Sequence, residues 1–183
     1  MHAWMQTHSG KLIDLLEPDP GLIDIHDIAA HLAHICRFAG ACHGHYSVAE
    51  HSVRVARLCA ADPLAGLLHD AHEAYLGDIT RPARTALLLA CGGAVGSWRD
   101  AERRLDVAIA VAFGFDAGRL AAPEVKAADN TLLATELRDL MAGGNHRGTG
   151  DDELPPPLAG TIRPWDRETA YHSFLGTFEQ LVG

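Results

Sequence analysis

An all-α bundle of about six helices, with a small β-hairpin at the N-terminus, is the fold class that the sequence predicts. Three observations carry this expectation. The chain of 183 residues has 30 Ala and 23 Leu against 8 Val and 8 Ile, and Ala and Leu favour helix where β-branched residues resist it. Ser, Asp and Pro recur at positions that start helices. No repeat and no shift of composition divides the chain, so one domain over 1–183 is expected.

Residues 4–8 and 11–16, joined at Ser9-Gly10, suit a short hairpin. Residues 1–20 are therefore an N-terminal hairpin or arm, broken by Pro18 and Pro20. Asp24 suits the N-cap of a helix to about 36. A loop containing Gly and His covers 39–46. Ser47-Val48-Ala49-Glu50 has capping-box spacing and opens a helix to about 60. Asp62-Pro63 offers a cap and then Pro at the first helical position, for a helix to about 75 that Gly77 ends. Ser97 suits the cap of a helix that stops at Gly114, and Pro123 starts another to about 141. Residues 143–160 are rich in Gly, Pro and Asp and read as a mobile loop. Asp166 caps a last helix over 166–182, with Trp165 and Tyr171 as its anchors. Leu87-Leu88-Leu89 suits core or a contact between subunits.

Composition narrows the function. Hydrophobic residues are 48% and charged residues 21%, an ordinary globular mixture. Fifteen basic against 24 acidic residues give a net charge of −9. A polymeric nucleic acid needs a basic footprint, so none is expected as partner. The longest apolar stretches, 86–90 and 107–113, are too short to span a bilayer, so no membrane partner is expected. The N-terminus lacks the basic start and apolar core of a signal peptide. Cys36, Cys42, Cys59 and Cys91 form no CxxC pair, which points to a reducing, cytoplasmic setting. Twelve histidines in an acidic chain prompt the search for a metal site.

Leu67-Leu68-His69-Asp70-Ala71-His72-Glu73 sets polar groups within one helix. His69 and Glu73, and Asp70 and Glu73, share a face by their spacing, while Leu67 and Leu68 turn to the core. His51 on the preceding helix can meet them. So can Asp129, which sits among small and apolar neighbours, where a carboxylate is costly unless paired or bound to a cation. Two imidazoles and two carboxylates suit Mn, Fe, Co, Ni or Zn better than Ca. The same residues have ordinary uses as well. A His-Asp dipeptide is often structural, Ser47 and Glu50 explain a helix start without chemistry, and Asp78 after Gly77 suits a turn. Cys36, Cys42, His43 and His45 match no zinc spacing and read as buried Cys with loop His.

Taken in order, Ser47-Val48-Ala49-Glu50-His51-Ser52, His69-Asp70, Glu73, Gly77-Asp78 and Lys126-Ala127-Ala128-Asp129 resemble the HD-domain metal-dependent phosphohydrolases. The branch most similar contains bacterial 5′-deoxynucleotidases and phage dATP triphosphohydrolases, and the resemblance covers about residues 11–140. It implies an HD-domain helical bundle. It implies that His51, His69, Asp70 and Asp129 hold one divalent metal ion (Mn, Co, Fe, Ni, Zn or Mg), and that Glu73 and Asp78 are catalytic carboxylates. A metal with open positions can take up both a water and a phosphoryl oxygen. Glu73 would orient or deprotonate that water, and Asp78 would protonate or position the leaving oxygen. Arg37 with Phe38 falls where deoxynucleotidases carry an Arg and an aromatic for phosphate and sugar. Phe38 stands where that aromatic is usually Trp, and lacks the indole N–H. Arg84 falls where relatives have Lys and is a second candidate for phosphate, with Arg81 a weaker one. His72 stays outside the metal set.

The activity implied is release of phosphate from deoxynucleoside 5′-monophosphates. The alternative is a dNTP triphosphohydrolase releasing tripolyphosphate, towards which residues 15–20 and 24–29 lean by their likeness to the phage-type proteins. It needs additional cations, and Arg81, Arg84 and Lys126 are candidates. A further alternative is a non-catalytic nucleotide- or metal-sensing module, against which Glu73 and Asp78 speak. Cyclic-dinucleotide phosphodiesterases carry further ligands and a C-terminal signature that this chain lacks. The partners expected are a small nucleotide substrate and other copies of the chain in a homo-oligomer, a dimer or larger.

Overall fold

A computed structural model describes residues 2–90, 96–142 and 154–183. These are mostly helical, with one two-stranded sheet, as an all-α class requires. Strands β1 (Trp4–Gln6) and β2 (Leu12–Asp14) pair antiparallel with Met5 opposite Ile13. The turn between them ends at Gly10, whose φ of +88° a side chain would resist. The hairpin is pinned to the first helix, because Ser9 donates through N and Oγ to Asp27 and Lys11 pairs with Asp24.

Helix α1 (Ile25–His34) starts where Asp24 accepts from the His26 N–H. Helix α2 (Val48–Leu58) starts where Ser47 Oγ accepts from the Glu50 N–H. Only this half of the expected capping box forms. The Glu50 carboxylate is taken instead by Arg54 and by the Trp165 N–H, which ties α2 to the segment before the last helix. Trp165 lies beneath the guanidinium groups of Arg54 and Arg57.

The helix expected over 62–75 divides into α3 (Pro63–Leu68), capped by Asp62, and α4 (Glu73–Leu76), closed by Gly77 at φ +80°. Between them the N–H groups of Ala71, Glu73, Ala74 and Tyr75 each bond the carbonyl three residues back rather than four. This tighter winding changes the direction of successive side chains. It lets the neighbours His69 and Asp70 reach one point, which a regular helix would oppose.

Helix α5 (Arg81–Ala90) falls where the sequence analysis placed no helix. Its Pro82 sits in the first turn, where a missing N–H costs nothing. None of its residues is buried, and Leu87 and Leu89 are 54% and 75% exposed, which excludes the core reading of Leu87-Leu88-Leu89. Helix α6 (Gly96–Phe113) already includes Ser97, so the cap assigned to Ser97 is displaced. Helix α7 (Pro123–Leu140) has Pro at its start, and α8 (Arg167–Val182) is capped by Asp166. Of the stretch read as a mobile loop, 143–153 lies outside the described residues. The rest, 154–160, is tied to α7: Leu158 N–H donates to Thr135 and Arg138 donates to the Leu158 and Gly160 carbonyls.

Two apolar clusters meet along α2. One joins Ile13, Ile28, Leu32, Val53, Leu67, Leu68, Leu105, Ile109 and Phe174; the other joins Tyr46, Val55, Cys59, Val125, Leu132 and Leu140. Helix α2 thus buries its whole first half, including Glu50 and His51. Among the described residues no helix is long and apolar enough to cross a membrane.

Candidate metal centre

His51 projects from α2 with no exposed surface, and His69 is the residue that ends α3. Asp70 follows it, and Asp129 comes from α7. Their ligand atoms meet. His51 Nε2 lies 3.4 Å from His69 Nε2, 3.5 Å from Asp70 Oδ2 and 3.3 Å from Asp129 Oδ1. His69 Nε2 lies 3.2 Å from Asp70 Oδ2. Around a cation with bonds of about 2.1 Å, neighbouring ligands sit roughly 3.0 Å apart in an octahedron and roughly 3.4 Å apart in a tetrahedron. The observed separations are of that size. His51, His69 and Asp70 together form a group able to hold a metal ion.

Both imidazoles are oriented from behind. His51 Nδ1 is 2.7 Å from Glu136 Oε1, and His69 Nδ1 is 2.9 Å from the Gly66 carbonyl. Both partners only accept, so each ring donates from Nδ1 and turns its Nε2 lone pair to the same point. Two lone pairs facing each other repel unless a proton or a cation stands between them. The charge balance shows the same demand. Burial and Arg37 push the His51 pKa down, but Glu136 and Asp129 outweigh them and raise it to about 9. Burial favours the neutral acid at Asp70, yet His69, His51 and Arg37 hold its carboxyl well below the usual range. The bond and charge of His51 similarly lower Asp129 against its burial.

Glu136 is the functional residue that the sequence analysis missed. It is fully buried on α7 and accepts from His51, from the Tyr46 hydroxyl at 2.8 Å and from Arg37 at 3.0 Å. A signal existed: Glu136 lies one turn from both Leu132 and Leu140, on a face that packs in the core. A carboxylate among apolar neighbours is costly unless paired or bound to a cation, at Glu136 as at Asp129.

Above the ligands opens a cavity of about 190 Å³, lined by Arg37, Phe38, Asp70, Glu73, Asp78, Arg84 and Asp129, and also by Thr80, Arg81, Pro82 and Leu133. Its two further carboxylates behave unlike the ligands. Burial and then the charges of Asp70 and Asp78 push Glu73 well above the usual range, and its Oε2 is buried without a partner. Burial also raises Asp78, although Arg37 and a hydrogen bond from the Phe38 N–H oppose this. The cavity therefore carries two carboxylates held ionised, Asp70 and Asp129, and two inclined to keep a proton, Glu73 and Asp78.

Arg37 reaches both sides of the centre, with Nη1 3.7 Å from Asp70 and Nη2 3.0 Å from Glu136, and its Nε is buried without a partner. Its guanidinium lies 5.3 Å from the Phe38 ring. Phe38 and Ala39 both have left-handed backbone, φ +57° and +51°, which costs about 1–3 kcal/mol for each non-glycine residue. Arg84 lines the outer wall and pairs with Glu102 at 2.7 Å. His72 bonds Asp106 at 3.0 Å, facing α6 rather than the centre. Lys126 is exposed and does not line the cavity. Cys36 and Cys42 approach each other, but neither joins a metal-ligand group with His43 or His45 among the described residues.

No family model matches the chain. It is similar to two curated proteins along most of its length. One is the uncharacterized protein RCAP_rcc00048 of Rhodobacter capsulatus, 38% identical over an alignment of 180 positions that covers 88% of this chain and 88% of that protein. The other is the uncharacterized protein YfdR of Escherichia coli K12, 33% identical over an alignment of 189 positions that covers 98% of this chain and 96% of that protein.

Proposed function

The chain belongs to one family with YfdR and the Rhodobacter capsulatus protein, and for it we propose a metal-dependent phosphohydrolase that releases phosphate from deoxynucleoside 5′-monophosphates. The observation that carries the reading is the four-residue donor set, with both Nε2 atoms aimed inward by hydrogen bonds from behind. The resemblance to HD-domain phosphohydrolases supplies the reaction class. The metal, when bound, supplies a polarised phosphoryl oxygen and a water of lowered pKa.

The chain's own residues do the rest. Arg37 offers its guanidinium to the phosphate oxygens from the cavity floor. Glu73, on the cavity wall beside Asp70, orients the attacking water. Asp78, on the same cavity wall, can give a proton to the leaving 5′-oxygen. Arg84 adds positive charge at the rim. A cavity of about 190 Å³ is smaller than the roughly 300–1,000 Å³ of pockets that enclose a whole drug-sized ligand. It suits phosphate and sugar with the base projecting outward. Of the cations a triphosphate would need, Arg81 and Arg84 line the cavity and Lys126 stands outside it. The reading includes a cytoplasmic location and self-association, for which Leu87 and Leu89 of α5 present an apolar surface.

The test is product identification. Purified protein with Mn, Co or Mg is incubated with a panel of dNMPs and dNTPs. Deoxynucleoside and orthophosphate from the monophosphates are expected. Tripolyphosphate from dNTPs would overturn the monophosphate reading, and metal binding without turnover of either would favour a sensor.

A further inference from the structure

Cys36 and Cys42 stand at the two ends of the short loop that carries Arg37 and Phe38. Their Sγ atoms are 3.7 Å apart, and both are free thiols. We propose that they are a peroxide-oxidisable pair, a modification site whose disulfide re-sets the loop on the cavity wall.

The two thiols are not equivalent. Cys36 is partly exposed and Cys42 is buried. Burial, and then Cys36 itself, push the Cys42 thiol up, so Cys42 stays protonated while Cys36 meets the oxidant. A peroxide oxygen is transferred to the Cys36 sulfur, giving a sulfenic acid and one water. Cys42 then gives up its proton as its sulfur attacks the Cys36 sulfur: the S–S bond forms, the S–O bond breaks, and the departing hydroxide takes that proton and leaves as a second water. Two thiols lose two hydrogens and two electrons, and the peroxide O–O bond takes them up. A third thiol, Cys59, is buried, and its pKa is pushed up to about 11 by that burial and by nearby carboxylates, so it serves as an unreactive control in the same chain.

Closing the bond takes the sulfur atoms from 3.7 Å to about 2.0 Å. Cys42 then loses the contacts its S–H makes to the Arg37 and Gly44 carbonyls, at 3.8 and 3.4 Å. Those carbonyls flank the two left-handed residues Phe38 and Ala39, whose conformation persists only while the surroundings impose it. The loop that carries Arg37 and Phe38 to the cavity wall is therefore sensitive to its anchoring.

The experiment treats the full-length protein with a small excess of hydrogen peroxide, alkylates remaining thiols and maps peptides without reduction. A Cys36–Cys42 link is expected, reversible by dithiothreitol, with Cys59 alkylated as a free thiol. Hydrogen exchange over residues 37–46 should change severalfold in the oxidised form and return on reduction. Cys42→Ser should abolish both effects, and Cys36→Ala, at the more exposed position, repeats the test if Cys42→Ser folds poorly. Cys36 found as sulfinic acid with no link, Cys42 linked elsewhere, or a linked protein with unchanged exchange would overturn the proposal. Neither readout involves metal or substrate, so the result stands apart from that of the product assay.

Discussion

Individual residues of the centre divide by what they touch. Asp70 contacts both imidazoles and Arg37, so it can serve as both ligand and counter-ion. Asp70→Ala is expected to remove bound metal and activity together, which elemental analysis and the product assay would read. Retained activity would refute the site. Glu136 does not face the cavity and acts through His51 and Arg37. Losing such a partner behind a ligating His typically costs about 10–100-fold in metal affinity. Glu136→Gln should show that loss by calorimetry while the protein keeps its helical signal. Glu136→Ala should go further. It strands a buried guanidinium and imidazole, at about 3–5 kcal/mol for a broken buried pair, so its thermal midpoint should fall as well. That Glu136 is missing from the sequence reading has a physical reason. Adjacent side chains and short motifs can be read from spacing, but a bond to His51 across 85 positions exists only once α2 and α7 pack.

Secondary elements place these residues, and two of them give direct tests. Helices α2 and α3 touch at Gly66. A Cβ there would lie 2.9 Å from Cys59 Sγ and 3.0 Å from the Ala56 backbone. Gly66→Ala should therefore destabilise the protein by about 1–3 kcal/mol, as overpacked contacts do. Because the Gly66 carbonyl orients His69, metal affinity should fall with it. The hairpin offers a pH test. The Ala3 N–H, His2 and the Leu16 N–H hold the Asp14 pKa down at about 2. An unfolded Asp titrates near 3.9. A depressed folded pKa means that its contribution is present above about 4 and is lost as pH falls towards 2. Amide exchange at Ala3 and Leu16 should quicken over that window, and Asp14→Asn should remove the pH dependence. Helix starts at Asp24, Ser47, Asp62, Pro123 and Asp166 were legible because a cap is a local matter of one side chain and the next N–H groups. The break between α3 and α4 was not. Local propensity favours a continuous helix there, and the tighter winding serves the convergence of His69 and Asp70.

At the scale of the molecule, the all-α class followed from composition, because Ala and Leu outnumber β-branched residues too strongly for a sheet protein. The exposed α5 did not follow, since nothing in Arg81–Ala90 distinguishes a core helix from one left on the surface. If the chain self-associates through that face, Leu89→Glu should shift the sedimentation coefficient towards the monomer and leave the four-residue donor set intact. An unchanged coefficient would count against that face. The net charge of −9 sits beside a cavity that keeps Arg37, Arg81 and Arg84 on its walls, so a phosphate substrate needs no basic surface overall. Everything proposed for the reaction depends on one cation at one point. Crystals soaked in manganese and measured for anomalous scattering test that directly. The account predicts a single strong peak within about 2.3 Å of His51 Nε2, His69 Nε2, Asp70 and Asp129. No peak there, or a peak ligated by other residues while these four keep their contacts, would contradict it.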